Sequence, residues 1–542
     1  MKRTMTSVLA LGLLFYSTFA QQAAQSPDTY EQLAARLTAH LAQPRFTAAS
    51  WGVKVVSLDS GKTIFEHNAE KYFNPASNAK LYTGALTLDR LGADFKIKTS
   101  IYAPRRPEPD GTLKGDLTIY GRGDPTIAAR LNQGNYDKPL ERLVEQIKAA
   151  GIRKIEGDLI GDESFFNTAP FGSGWEWDDL QEYYGAEVSA LSIHDNSLDF
   201  FVKPAERIGL PCRITTGPQS NYLTFINRTQ TAPKGTETSI RFYRPVAENI
   251  VYVTGRLAID SPKGYANSIA VHNPALLFVT LLKDALAKQG IAVTGRLRIL
   301  DPKYRDVTPL DLAKFIELGF IESPPMKDIV REMLKPSQNL YAQLLLLQVG
   351  ANSSQLSATN NQPVSPANSP IKSNSQQTTS NNQTPATDYR LPNTEQQGLE
   401  VMTAFLNEVG VKKGDVLLEE GSGLSRKDII TPNATIALLT FMDKHQLAEI
   451  YRNGLPIAGV DGTLQNRMKN TPAANNVHAK TGTLRFVYAL SGYVTAASGE
   501  RLAFSIMLNN YFNLDRTIAP REDVDAIPIM LANFGKPQAV SN

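Results

Sequence analysis

The chain is poor in cysteine. Its 542 residues hold one, Cys212, which excludes an intramolecular disulfide and a C-x-x-C site, so the fold rests on its apolar core. Cys212 itself reads as a small buried apolar residue rather than a reactive thiol. Histidine is scarce as well. The six residues are scattered, with no H-E-x-x-H and no metal-ligand spacing, so no metal and no other cofactor is expected. An excess of one charge is missing too. The net charge of +3 gives no ground for nucleic-acid binding and allows only weak attraction to an anionic wall or membrane surface. Long apolar runs are also lacking. The run from about Val8 to Tyr16 falls short of the roughly 20 residues that span a bilayer, and no later segment reaches that length.

What is present fits an exported globular protein. Hydrophobic content of 42% and charged content of 20% belong to a folded chain, and the length suits two to four domains. Lys2 and Arg3, the short apolar run and the small residues of Ser17-Thr-Phe-Ala20 have the order of a signal peptide. Residues 1–20 are therefore expected to be cleaved near Ala20, leaving a mature protein in the periplasm or cell-wall space. The competing reading is a buried N-terminal helix. The sequence carries no signal for oligomeric state.

Residues 51–67 predict a hairpin, with Trp51, Val53 and Val55 alternating and turn chemistry at Asp59-Ser-Gly61. Leu81, Ala85, Leu88 and Leu91 fall on one face of a helix, with Ser77 and Lys80 at its head and away from that stripe. From about 95 to 310 the texture is β-rich, and a loose phrase recurs: Gly115-Asp-Leu, Gly157-Asp-Leu, Gly255-Arg-Leu and Gly295-Arg-Leu. Its irregular spacing indicates similar β-units in an inserted module of one or two subdomains, not a solenoid. Arg122-Gly-Asp124 reads as a turn rather than an adhesion signal. Residues 327–349 predict two helices interrupted at Pro336. Ser, Asn, Gln and Thr dominate residues 351–390, which predicts a disordered polar insert over about 351–393. Helical patterns follow at 398–411 and 434–446, and three strands of an antiparallel meander at 476–510. The expected organisation is a catalytic domain in two parts, 21–94 and 311–542, around the module at 95–310.

Three polar fragments bear on function. Ser77-x-x-Lys80 stands at a helix start, Ser337-Gln-Asn339 at the break near Pro336, and Lys480-Thr-Gly-Thr483 on the first meander strand. Each alone is weak. Ser before a helix is commonly a cap, and Ser369-Pro-Ile-Lys372 and Ser380-Asn-Asn382 repeat two of the patterns inside the polar insert. The set in this order and context points instead to one site. A serine hydroxyl needs a base to become a nucleophile. Ser77 and Lys80 share a helix face, and a lysine serves as base only when burial or nearby positive charge lowers its pKa. Lys480 would supply that charge, and Ser337 would pass a proton to the leaving amine. Asn339 would hold Lys80 and the substrate backbone. Backbone N–H groups of Ser77 and Thr483 would form an oxyanion hole. Thr481 and Thr483, helped by Lys480, suit a terminal carboxylate, and Gly482 would let the substrate approach the strand.

These fragments resemble the signature of penicillin-binding proteins and serine β-lactamases. With "PASNAKL", "GRGDPTI", "GDESFF", "KPSQNLYAQLLL", "GSGLSR", "GVDGTLQNRM" and "HAKTGTL", the chain resembles the class C low-molecular-mass penicillin-binding proteins, the D-alanyl-D-alanine carboxypeptidase/endopeptidases. The likeness covers most of residues 50–535 apart from the polar insert, and the long interval from Ser77 to Ser337 matches the module of that branch. It implies an α+β fold: a transpeptidase-like antiparallel sheet flanked by helices, with a large inserted β-rich module. It implies hydrolysis of peptidoglycan stem peptides and cross-links through an acyl-enzyme on Ser77, and acylation by β-lactams. In "GWEWDDLQEYYGAEVSAL" it implies that Asp179 and Tyr184 contact the diaminopimelate side chain, with Asp178 or Tyr183 as the alternative register and a structural turn as the competing reading. The rival functions are a serine β-lactamase and a non-catalytic muropeptide- or β-lactam-binding protein. For the former, Glu449-Ile-Tyr-Arg-Asn453 is the nearest match to a deacylating E-x-x-L-N segment, and it lacks the leucine.

Overall fold

Alternation at Trp51, Val53 and Val55 produces a strand that closes the catalytic sheet. The structure is a computed structural model and describes residues 29–303, 308, 311–353, 393–513 and 518–535. The expected signal peptide and nearly all of the polar insert lie outside the described residues. In chain order the principal elements begin with α1 (Tyr30–Leu41), β1 (Ser50–Ser57), β2 (Thr63–His67) and α2 (Ala79–Leu91). The module supplies β3 (Lys98–Ala103), β4 (Leu117–Tyr120), α3 (Lys138–Ala149), β5 (Leu159–Asp162), α4 (Pro274–Lys288), β6 (Leu297–Leu300) and β7 (Ile316–Glu322). There follow α5 (Met326–Leu334), α6 (Asn339–Ala351), α7 (Thr394–Val409), α8 (Pro432–Lys444) and α9 (Ala448–Gly454). The meander is β8 (His478–Leu484), β9 (Val487–Thr495) and β10 (Arg501–Asn509), and α10 (Pro520–Asn533) comes last.

The catalytic sheet has the order β8-β9-β10-β1-β2 and is antiparallel throughout. Trp51 faces Leu508 and Val53 faces Ile506 across the β1–β10 pair, so the two ends of the chain are stitched together. Period-2 alternation then sends side chains into two separate cores. Leu33, Leu37, Trp51, Val53, Phe504, Ile506 and Leu531 pack under α1 and α10 on one face. Leu81, Leu86, Ile329, Leu345, Phe405, Leu438 and Met507 pack among α2 and α5–α9 on the other. This is a helix–sheet–helix sandwich, with both faces of the sheet covered.

Helix α2 is central and packed, as its apolar stripe leads one to expect, and its burial extends beyond that stripe. Every residue from Ala79 to Leu88 is buried, because the helix runs between the sheet and α5–α6. Gly84 lies in the crossing, where a β-carbon would stand 3.2 Å from Met333 Cε. Lys80 is carried into this dry layer with no exposed surface. The break between α5 and α6 holds as expected, and Ser337 at its centre adopts φ of 68°. This left-handed conformation is uncommon for a residue with a β-carbon.

The module forms its own core around Ile101, Leu117, Ile119, Leu159, Phe278 and Leu282, with Cys212 buried in it. Its main sheet has the order β6-β5-β4-β3-β7, with β4, β5 and β6 parallel. Three of the four repeated glycine phrases enter these parallel neighbours, and the glycines are stacked. A β-carbon at Gly157 would collide with the Gly115 carbonyl, and one at Gly295 with the Gly157 carbonyl. The fourth, Gly255, lies in a separate three-stranded sheet of residues 224–232, 241–243 and 250–258. Strand β7 pairs with β3, so the module's sheet reaches past residue 310, where the composition suggested it would end. Arg122-Gly-Asp124 is not presented for adhesion: Asp124 is 3% exposed, and Arg122 donates to Lys98 O.

Candidate active site

Three fragments far apart in sequence meet beside strand β8. Ser77 lies in a single 3-10 turn, Ala76–Asn78, that leads directly into α2, and neither the turn nor the helix has a side-chain cap. Ser77 is therefore not a cap. Its Oγ stands 2.9 Å from Lys80 Nζ. The turn is tight, with φ of 46° at Ala76. Gly423, itself at φ of 77°, packs against it where a β-carbon would collide with the Ala76 carbonyl.

Lys80 Nζ also donates to Asn339 Oδ1 at 2.6 Å and to Ser422 O at 2.6 Å. Three acceptors around one ammonium satisfy its three protons. Burial pushes Lys80 down to about 7, against an upward pull from Glu420 and Asp428. With the amine neutral, the 2.9 Å contact reverses and Ser77 donates. Asn339 spans two units: its Oδ1 holds Lys80 and its Nδ2 donates to Tyr184 O at 2.9 Å.

Lys480 Nζ donates to Ser337 Oγ at 2.8 Å and to Thr481 O at 2.9 Å. Burial first, then the charges of Lys80 and Arg467, push Lys480 well below the usual lysine range. Burial is the leading cause for both lysines, and the charge of Lys80 adds to it at Lys480.

Strand β8 is the edge of its sheet, so alternate backbone groups are open for an extended peptide to pair with. Thr481 and Thr483 line a cavity of about 1210 Å³ together with Ser77, Ser337, Asn339, Asp179 and Tyr184. Thr481 Oγ1 lies 2.8 Å from Thr463 Oγ1. Gly482 also lies against the turn that carries Ser77. The space where its β-carbon would be is filled by Pro75 O and Asn78 Nδ2, so the missing side chain lets β8 lie against the Ser77 turn.

The far wall comes from the module as two short turns, Asp179–Gln181 and Tyr183–Gly185. Tyr184 hydrogen-bonds the Asp179 carboxylate. Burial pushes Asp179 up, Asp178 and Glu176 add to this, and Arg426 opposes it. Asp178 and Tyr183 also line the cavity but are exposed. Arg426 ties the wall to the end of β8: its Nε pairs with Glu176 at 3.1 Å, and its Nη1 donates to Arg485 O at 3.1 Å.

A serine, two buried lysines and an edge strand around one cavity agree with the comparisons with known proteins. A family model described as D-Ala-D-Ala carboxypeptidase 3 (S13) matches residues 33–379 and 372–533. The chain belongs to this family. As an S13 member it is a serine-type D-Ala-D-Ala carboxypeptidase. It is 31% identical over 532 residues to the D-alanyl-D-alanine carboxypeptidase of Actinomadura sp. (strain R39), covering 95% of this chain and 88% of that one. It is 26% identical over 463 residues to the D-alanyl-D-alanine carboxypeptidase DacB of Haemophilus influenzae, covering 84% of each. The crystal structure of penicillin binding protein 4 (dacB) from Haemophilus influenzae superposes with a TM-score of 0.72 at 25% identity, covering 92% of this chain and 97% of that one. The α+β penicillin-binding-protein fold with an added β-rich module is thereby established.

Several residues of the S13 site are not apparent from the sequence. Glu420 is fully buried, and its carboxylate accepts from the backbone N–H of Ser422 (2.6 Å), Gly423 (2.5 Å), Leu424 (3.0 Å) and Ser425 (3.4 Å). This holds the loop that delivers Ser422 O to Lys80. Asp428 shares a hydrogen bond with Glu420 and is pushed well above the carboxylate range by burial and by that neighbouring charge. Arg426, Thr463 and Arg467 line the cavity. They lie in fragments that carried the resemblance, "GSGLSR" and "GVDGTLQNRM", but no local pattern marks them as site residues.

Proposed function

We propose that the protein is an exported carboxypeptidase/endopeptidase that trims peptidoglycan stem peptides and opens their cross-links through an acyl-enzyme on Ser77. The observation that carries this reading is the pair of buried contacts around one cavity: Lys80 Nζ to Ser77 Oγ at 2.9 Å and Lys480 Nζ to Ser337 Oγ at 2.8 Å. Neutral Lys80 takes the Ser77 proton as Oγ attacks the penultimate carbonyl carbon. The oxyanion is held by the N–H groups of Ser77 and Thr483. The C–N bond then breaks, and Ser337, backed by Lys480, protonates the leaving amine. Ser337 recovers a proton from the charged Lys80, and the neutral Lys80 then accepts a proton from the water that attacks the ester and returns it to Ser77 Oγ as the C–O bond breaks.

Thr481, Thr483 and Lys480 receive the terminal carboxylate, and Gly482 keeps β8 close to the nucleophile. An incoming carboxylate favours the charged form of Lys480, so substrate binding itself readies the proton that the leaving amine requires. Asp179, positioned by Tyr184, faces the free ammonium of a diaminopimelate side chain, and Arg426 beside it suits that residue's carboxylate. The named relatives support the substrate class. A further structure of the Haemophilus influenzae protein is described as complexed with a novel β-lactam, which supports acylation of this chain by such compounds. The lactamase rival loses its base here, since Glu449 on α9 does not line the cavity.

The test is mass spectrometry after treatment with benzylpenicillin. A lasting adduct on Ser77, absent in Ser77→Ala, is expected, together with D-alanine release by wild type only. An adduct on Ser337, rapid loss of the adduct, or equal activity in the two proteins overturns the proposal.

A further inference from the structure

Charges of both signs line the cavity along β8, and the guanidinium of Arg485 is among the exposed ones. At the Leu484–Arg485 end stand Glu176, Asp178 and Asp179, with Arg426 paired to Glu176. At the Lys480–Thr481 end the lining is Thr463, Arg467, Ala519, Pro520 and Arg521. Arg467 is tied to α10: its guanidinium makes a two-pronged pair with Asp525 at 2.6 and 3.1 Å, and its Nη2 reaches Arg521 O at 3.5 Å. Arg521 is held at the cavity edge by its backbone, as the second residue of α10. Its own guanidinium is exposed and has no acidic partner among the described residues. Tyr488, which faces Thr483 across the β8–β9 pair, also lines the cavity.

Direction along the strand decides what this end meets. Under the proposed function, on which this inference rests, the scissile carbonyl lies between Ser77 and Thr483 and the leaving group's carboxylate reaches Thr481 and Lys480. The acyl half then runs toward Asp179 and the leaving half toward Arg467 and Arg521. A departing D-alanine ends at its carboxylate and has nothing left to offer a free cation beyond it. A leaving group that is itself part of a second stem peptide continues past that carboxylate and bears further carboxylates.

We infer that Arg521 forms a leaving-group subsite for an anionic peptide, and that it biases the enzyme toward opening cross-links. Arg521 binds a carboxylate of the second stem by a charge-assisted contact, while Arg467 and Asp525 fix the turn that presents it. Arg521 takes no part in bond making or breaking. It sets which leaving groups are held.

The experiment compares kcat/KM for a cross-linked tetrapeptide–tetrapeptide dimer with that for a single pentapeptide. In Arg521→Gln the dimer-to-pentapeptide ratio is expected to fall about fivefold, the scale of an exposed ion pair, and Arg521→Glu lowers it further. On wild type, amidating the dimer's second-stem carboxylates other than the one beside the scissile bond is expected to lower the ratio by a similar factor, without any change to the protein. An unchanged ratio in both variants, or an amidated dimer cleaved as well as the free acid, overturns the inference, as does a wild type unable to cleave the dimer. Failure of the underlying reading looks different: no penicilloyl-Ser77 and no D-alanine release.

Discussion

Gly423 seats directly on the carbonyl of Ala76, the residue before the nucleophile. Both backbones are in the left-handed region, at 77° and 46°, and each holds the other there. Gly423→Ala adds a β-carbon where there is no room and at a φ that disfavours it, a cost of about 1–3 kcal/mol. The expected result is a lower unfolding midpoint together with a loss of benzylpenicillin acylation of more than about tenfold, since a misplaced nucleophile forfeits its alignment. Acylation at the wild-type rate would show that the turn does not depend on this contact.

Lys80 is expected to set the pH dependence of acylation. Its amine is pushed down to about 7 by burial. Below that pH it is charged and unable to take a proton from Ser77, and above it the neutral base is available. Acylation by benzylpenicillin should therefore rise with pH and level off above about 7. Lys80→Gln should abolish this rise and slow acylation by about 10²–10⁴-fold with Ser77 still in place. The same lysine binds its proton more tightly in the unfolded chain, so its contribution to stability increases with pH from about 7 toward the ordinary lysine value near 10.4. A flat acylation profile from pH 5 to 9 would remove Lys80 from the base role.

Glu420 and Asp428 should respond unequally to loss of charge. Four backbone N–H groups depend on the Glu420 carboxylate, and a buried donor left without its acceptor costs about 1–3 kcal/mol. Asp428 is held above the carboxylate range by burial and by Glu420, and it accepts the Glu419 N–H, which an amide oxygen also accepts. Urea denaturation should show Glu420→Gln destabilised by about 2–3 kcal/mol and Asp428→Asn by less than about 1 kcal/mol. The reverse order would mean that the charge resides on Asp428.

Asp179→Asn tests the wall built by the module. The carboxylate would be lost while Tyr184 keeps a partner, so the turn survives. For a D-Ala-D-Ala peptide with a free side-chain ammonium, kcat/KM should fall about tenfold, and for its N-acetylated analogue by less than about twofold, as expected when one partly buried charge pair is removed. Equal losses on both peptides would point to a structural role for Asp179.

Much of this organisation is legible in the order of the residues. The two helices around Pro336, the hairpin at 51–67 and the three strands of 476–510 follow from hydrophobic period and turn residues, both local properties of the chain. The chemistry is legible for a similar reason: a serine nucleophile with a lysine base restricts residue type and spacing, and Ser77, Lys80, Ser337, Asn339 and Lys480 satisfy those restrictions within short fragments.

Long-range contacts decide the rest. No local pattern shows that α2 is buried on every side and brings Lys80 with it, or that Gly482 clears space for the Ser77 turn. Likewise Glu420, Arg426, Arg467 and Arg521 acquire their tasks from neighbours scattered along the chain. The sequence by itself determined which groups could do the chemistry. The tertiary structure determined how far those groups are desolvated and which charges surround them, because burial and electrostatic coupling depend on everything packed nearby and not on order along the chain.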